Sequence, residues 1–232
     1  MSTGQLLVIT KAPVAGRSKT RLTPPCSPQQ AAAIARAAVG DTLDAVRASD
    51  VARRVVALDG TPDGLDLSGC VVLSQAAGEL GERLAAAFAD AMAGPGGDLP
   101  TLLVGTDTPQ VTAGLLDACL ARLVAGGPGT AALGVAVDGG WWALGLHSSA
   151  LATVLPGVAM SRDDTARHTR RALEDAGVRV LDLPELTDID HFPDAVAVAE
   201  RCDPGSRTRR TVEEITADLA SARHPAETWH TP

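Results

Sequence analysis

Four cations stand on one short stretch, Lys11-Ala-Pro-Val-Ala-Gly-Arg-Ser-Lys-Thr-Arg-Leu22: Lys11, Arg17, Lys19 and Arg21. Ammonium and guanidinium groups, with exposed loop N–H groups, suit phosphate oxygens. Gly16 lets such a backbone approach a ligand with no Cβ in the way. The stretch reads as a holder for the phosphates of a nucleotide; a solvated basic loop is the plainer alternative. It is not a Walker A loop, because no Gly-Lys-Ser/Thr closes it. Nor is it a Gly-x-Gly-x-x-Gly dinucleotide turn.

Carboxylates recur at three later places. Asp107 lies in Gly105-Thr-Asp-Thr-Pro-Gln110, directly after the apolar run Thr101–Val104. One carboxylate plus substrate phosphates is a usual way to bind Mg2+; the other reading is an Asx-turn or helix cap, a role Thr112 can fill instead. Asp188 and Asp190 flank Ile189 and therefore share one face, so that together with Asp107 they could complete a divalent-cation site. Asp138 precedes Gly139-Gly140 and could hold an acceptor hydroxyl, act as a base, or be a simple turn residue. Trp141 and Trp142 follow on alternate faces, one inside and one near the crevice, where an indole can stack on a base or sugar, though core filling is commoner. Gln75 and Gly78 stand just ahead of a helix, placed for a base or ribose. Glu82 and Arg83 could serve the same ligand or form a surface pair on that helix. His191 has no visible partner and reads as structural.

The elements that must position these groups follow from periodicity. Strands are expected at Gln5–Thr10, Arg54–Leu58, Val71–Leu73, Thr101–Val104, Thr130–Val137, the segment after Asp138 and Val178–Leu183. Helices are expected at Pro28–Ala48 with Ser27 as cap, Leu80–Met92, Thr112–Ala125, about Asp163–Ala176 with Ser161 as cap, and Pro193–Arg201. This alternation is an α/β chain, in which ligands bind outside the carboxyl ends of the strands. Residues 1–202 read as a single catalytic domain. Residues 203–232 form a polar tail with a short helix, marked by the capping-box pair Thr211 and Glu214. That helix would dock on the body or on a second subunit, which would make a homodimer; His224–Pro232 should fray.

The core must be aliphatic, since the 232 residues include no Tyr, two Phe and three Trp. A formal net charge of −8 argues against a general nucleic-acid surface but not against a local basic pocket. No apolar run approaches the ~20 residues of a membrane span, and no secretory signal is visible. Cys26, Cys70, Cys119 and Cys202 lack Cys-x-x-Cys spacing and read as reduced thiols of a cytoplasmic protein.

The motif at 11–22 resembles the signature of the radical-SAM/selenodomain-associated transferase family, glycosyltransferase-like proteins also linked to arsenosugar biosynthesis. Further matches follow in order: Gly78-Glu-Leu-Gly-Glu-Arg-Leu84, Gly105-Thr-Asp-Thr-Pro109, Asp138-Gly-Gly140 with Gly145-Leu146, and Asp188-Ile-Asp190. That family is similar in turn to 2-phospholactate and molybdenum-cofactor guanylyltransferases. The resemblance implies a Rossmann-like mixed sheet, the nucleotide-diphospho-sugar transferase (GT-A) fold. It implies that Gly16, Lys19 and Arg21 handle nucleotide phosphates and that Asp107 and Asp190 hold Mg2+ or Mn2+. Added to the reading above, Lys19, Asp107 and Asp138 are the catalytic candidates. Lys11, Gly16, Arg17, Lys19, Arg21, Gln75 and Gly78 are the nucleotide-binding ones. The chain departs from the family pattern at Thr108-Pro109-Gln110 (commonly Cys-Pro-Asp), at Trp141-Trp142 (commonly two tyrosines) and near Met160-Ser161, which lacks the usual Trp. All three flank the acceptor side.

The expected activity is a metal-dependent transfer from a nucleotide or nucleotide sugar to a small-molecule acceptor, by glycosyl transfer or by nucleotidyl transfer from an NTP. A nucleotide-binding module without catalysis and a structural partner of a neighbouring enzyme are the competing readings.

Overall fold

The computed structural model of the chain describes residues 4–94 and 96–223, so the expected fraying of His224–Pro232 lies outside the described residues. Seven strands form one sheet: β1 Gln5–Lys11, β2 Arg53–Asp59, β3 Val71–Ser74, β4 Thr101–Val104, β5 Thr130–Val135, β6 Trp141–Leu146 and β7 Arg179–Asp182. Their order is β3-β2-β1-β4-β6-β5-β7. Only β6 runs against its neighbours, β4 and β5; the other pairings are parallel. Six α-helices accompany them: α1 Pro28–Ala48, α2 Leu80–Ala93, α3 Ala113–Gly126, α4 Thr165–Asp175, α5 Phe192–Arg201 and α6 Arg207–Arg223.

Both faces of the sheet are covered, which is why the centres of β1 (Leu6–Ile9) and β4 (Leu102–Val104) read as unbroken apolar runs. On one face Leu6, Val8 and Val104 pack with Val39 and Leu43 of α1 and Leu116 and Leu120 of α3. On the other, Leu7, Val55 and Leu103 pack with Leu84 and Phe88 of α2 and Leu173 of α4. No described helix is long and apolar enough to cross a membrane.

Helix α1 starts where the sequence places it. The Ser27 hydroxyl accepts the Gln30 N–H, the Gln30 side chain accepts the Ser27 N–H, and Pro28 needs no partner at the first position. Two other starts differ from expectation. Helix α4 begins at Thr165 with Asp164 at its N-cap, because Ser161 lies in the left-handed region (φ 59) and belongs to the preceding loop. Helix α6 begins at Arg207, four residues ahead of the Thr211/Glu214 pair. Its cap comes from another element: the Asp41 carboxylate of α1 accepts the N–H groups of Arg207 (3.0 Å) and Thr208 (2.7 Å). Val212 and Ile215 then bury beside Ile34 of α1 and Val198 of α5.

Asp41→Ala removes that cap and leaves two N–H donors without an acceptor. The expected cost is about 1–3 kcal/mol, or about 2–12 °C in Tm for a chain of this size. Thermal melting, with limited proteolysis inside α6, checks it; unchanged melting and unchanged cleavage would refute the tertiary cap.

Candidate active site

The carboxyl ends of β1, β2 and β4 point the same way, and the start of antiparallel β6 lies at that same edge. The loops after these ends enclose a cleft of about 850 Å³. Lys11, Arg17, Lys19, Arg21, Gln75, Gly78, Asp107, Asp138, Asp188 and Asp190 all line it.

The basic loop leaves β1 and turns at Gly16 (φ 77), where the N–H groups of Arg17 and Ser18 both donate to the Val14 carbonyl. Gly16 itself forms the apex of that turn and is not among the residues lining the cleft, so its contribution is to the turn. Lys19 sits at φ 50, ψ 42, ahead of a single 3-10 turn at Thr20–Leu22. A non-glycine residue held there costs of order 1–3 kcal/mol, and such strain collects at functional sites. The conformation sends the Lys19 side chain inward, where only 11% of it stays exposed. Its Nζ lies 2.7 Å from the Asp107 carboxylate and also donates to the Ile189 carbonyl. Arg21 Nη1 is 2.6 Å from Asp190 Oδ2. Lys11 stands 3.8 Å from Asp59. Among the described residues the Arg17 guanidinium has no partner.

A hairpin and a parallel bridge assemble the acids. After β5 the chain reverses at Asp138-Gly139-Gly140. The Asp138 carboxylate accepts the Gly140 N–H at 2.7 Å, and Gly139 takes φ 87. The Leu186 carbonyl accepts the Val137 N–H, and the Asp107 carbonyl accepts the Ile189 N–H. The segment carrying Asp188 and Asp190 is thereby laid beside both Asp138 and Asp107. Ile189 is fully buried, so its two neighbours face the cleft together.

Oxygens of Asp138, Asp188 and Asp190 all lie within 4.8 Å of one another. Burial, then the Asp138 and Asp190 charges, push the Asp188 carboxyl up to about 6. Three hard oxygen donors under mutual repulsion fit Mg2+ or Mn2+. Asp107, which the sequence reading pairs with Asp190 as a metal ligand, is outside that trio; its carboxylate meets Lys19 instead. Asp138, read earlier as a base or acceptor-binding group, belongs to the trio. The spacing of Asp138 and Asp188 along the chain carries no signal of this, because only the hairpin and the Ala136–Leu186 bridge bring them together.

Gln75 is placed at the cleft but is already engaged. Its amide nitrogen donates to the Thr10 and Ala57 carbonyls (2.7 and 3.0 Å), and its oxygen accepts Arg83 Nη1 (2.9 Å). Gly78 lies on the adjoining turn at φ 112. Both indoles reach the cleft wall. Trp142 is buried and donates to the Pro184 carbonyl, while Trp141 is half-buried and donates to the Thr169 hydroxyl. The segment Met160–Asp163 closes this side; the sequence reading set Met160-Ser161 on the acceptor side and made Ser161 a helix cap.

Gly139 fixes the hairpin against that segment. A Cβ at its position would fall 1.8 Å from the Asp163 carbonyl oxygen, and its own carbonyl accepts the Ala166 N–H. Gly139→Ala is expected to cost roughly 2 kcal/mol or more, from the clash and the positive φ, or about 4–8 °C in Tm. It should also separate Asp138 from its partner acids. Calorimetry of the variant checks the first effect; a melting curve matching the parent would refute the close approach.

A family profile described as "Uncharacterized protein conserved in bacteria (DUF2064)" matches residues 42–162, over half of the chain. No curated protein sequence matches it. Among solved structures, a proposed nucleotide-diphospho-sugar transferase from Desulfovibrio desulfuricans G20 superposes with a TM-score of 0.79 at 23% identity, covering 95% of this chain and 98% of that one. A nucleotidyl transferase from Methanothermobacter gives 0.54 at 16% identity over 85% and 96%. The Rv0371c protein of Mycobacterium tuberculosis H37Rv gives 0.52 at 20% identity over 86% and 100%. At these identities the likeness is one of fold. The chain has the mixed α/β fold of the nucleotide-diphospho-sugar transferases, GT-A, as the signature implied.

Proposed function

The chain belongs to the DUF2064 family of proteins conserved in bacteria, and we propose that it is a divalent-cation-dependent transferase that works on a nucleoside phosphate. One observation carries the reading. The basic loop after β1 and the carboxylates after β4, β5 and β7 converge on one cleft, with Lys19 Nζ 2.7 Å from Asp107. Two of the solved structures with this fold are named as a nucleotide-diphospho-sugar transferase and a nucleotidyl transferase, which supports the same class.

Within that class, nucleotidyl transfer from an NTP to a phosphorylated acceptor is the better fit. Four cations on the loop after the first strand suit a triphosphate. Arg17, which has no partner among the described residues, and Lys19 and Arg21 would hold its phosphate oxygens. An acceptor oxygen would enter from the side of Trp141 and Met160 and attack the α-phosphorus. The new P–O bond forms as the bond to the bridging oxygen breaks, and pyrophosphate leaves with the electron pair. The ammonium of Lys19 and the guanidinium of Arg21 would oppose the charge that grows on the leaving oxygens. Asp138, Asp188 and Asp190 would hold Mg2+ or Mn2+, which when bound supplies further neutralisation of phosphate charge. Asp107 positions Lys19. The three departures from the family signature all flank the acceptor side, so the identity of the acceptor is the part of the resemblance that transfers least.

Glycosyl transfer from a nucleotide sugar is the second reading, favoured by the sugar-transferase relative with the TM-score of 0.79. Incubation with each NTP, Mg2+ and a panel of sugar phosphates tests the first reading by pyrophosphate release. Nucleoside diphosphate released from UDP- or GDP-sugars, without pyrophosphate, would replace it with the second. Binding without turnover on any acceptor would reduce the protein to a nucleotide-binding module.

A further inference from the structure

The β3–α2 corner of the cleft contains a side chain that the structure holds still and leaves half unused. Arg83, from the first turns of α2, lines the cleft with its side chain only 15% exposed. Its Nη1 donates to the Gln75 oxygen at 2.9 Å and lies 3.7 Å from Asp59. Gln75 is itself pinned by the carbonyls of Thr10 in β1 and Ala57 in β2. The guanidinium is therefore anchored through one nitrogen to the sheet. Among the described residues, Arg83 Nε is buried with no acceptor, and Nη2 has none either.

A buried donor without a partner costs stability, so its retention calls for a reason. The two free nitrogens are adjacent on one edge of the guanidinium plane. That edge is a fork of parallel N–H donors, and a guanidinium has no acceptor to offer. It matches a ligand edge with two neighbouring acceptors. Gln75, the residue first placed against the base by its sequence position, has both ends of its amide committed and cannot play this part.

Resting on the proposed nucleotide-transferase reading, we infer that Arg83 is the specificity-determining residue for the nucleobase. It selects bases with two adjacent acceptors, N7/O6 of guanine or N3/O2 of cytosine, over adenine and uracil. On every edge of adenine and uracil an acceptor within reach of the fork is flanked by a donor or stands alone. Gln75 is the positioning residue that presents the fork.

The test is direct binding of GTP, CTP, ATP and UTP to the full chain with Mg2+, by calorimetry, for the parent, Arg83→Gln and Arg83→Lys. The lysine variant keeps the charge and loses the fork, so it still reports if the glutamine variant fails to fold. GTP or CTP is expected to bind the parent at least about tenfold more tightly than ATP and UTP. Either variant should bring the four to within about threefold of one another. If guanine is the base, 7-deaza-GTP should bind the parent about tenfold more weakly than GTP; if cytosine is, CTP alone shows the preference. Equal binding of all four by the parent, or a preference that survives in Arg83→Lys, would overturn the assignment and leave the transferase reading standing. Binding of none of the four would overturn both.

Discussion

Asp188→Asn is expected to lower divalent-cation-dependent turnover by about 100-fold or more while raising the melting temperature of the metal-free protein. The two effects have one cause. Three carboxylates with oxygens within 4.8 Å repel each other, and the Asp188 carboxyl is pushed up to about 6 by its burial and by the other two charges. Near neutral pH the cation-free fold therefore carries a charge its surroundings disfavour. An amide relieves that penalty and keeps the shape, but offers a far weaker ligand. Adding Mg2+ or Mn2+ should stabilise the parent against heat and leave the variant almost unmoved, since stabilisation by a ligand follows its affinity for the native state. Terbium luminescence, sensitised by the indoles of Trp141 and Trp142 in the same cleft, reads cation binding independently of turnover. A metal-free variant less stable than the parent, with terbium binding intact, would show that Asp188 has a structural role and that the cation site lies elsewhere.

Lys19→Met is expected to weaken nucleotide binding by more than about tenfold, the scale of one lost charge-assisted contact in a partly enclosed site. Methionine keeps most of the length of the side chain, so it fills the passage between Asp107 and the Ile189 carbonyl without the charge. Affinity for a nonhydrolysable triphosphate, measured by calorimetry, is the primary readout. Arg17→Ala gives the comparison: an exposed cation with no partner among the described residues, whose removal should leave melting unchanged while weakening the same ligand. A Lys19→Met protein that binds the triphosphate as the parent does would remove the ammonium from the phosphate site. If that variant also melted lower, its role would be to tie the loop to residues 107 and 189.

Elements whose ends are fixed locally were legible in the chain. Helix α1 runs over Pro28–Ala48 as its periodicity and its Ser27-Pro28 start require, and β4 occupies Thr101–Val104 as the run Leu102-Leu103-Val104 suggests. What escaped was fixed from a distance. The cap of α6 is an aspartate on α1, so no local pattern could mark Arg207 as its start. The direction of β6 is set by a hairpin that a turn signal alone does not specify, and the mixed sheet entered only through the family signature. At the site, the residue types were readable and their partners were not. Asp107 and Asp190 looked like one ligand set, yet each is met by a different loop cation, and Asp138 takes the place beside Asp188 and Asp190. Gln75 stood at the right corner, but its amide belongs to the backbone of two strands.

The pairing of Lys19 with Asp107 and of Arg21 with Asp190 also says how ligands must arrive. On the proposed function, with these two pairs closed, a phosphate at Arg21 or a divalent ion at Asp190 would be taken up by exchange rather than by simple addition. A phosphate that drew Arg21 away would leave Asp190 unneutralised, and a divalent ion at Asp190 would release Arg21. Each ligand would then prepare the protein for the other. By thermodynamic reciprocity the factor by which the ion tightens the nucleotide equals the factor by which the nucleotide tightens the ion.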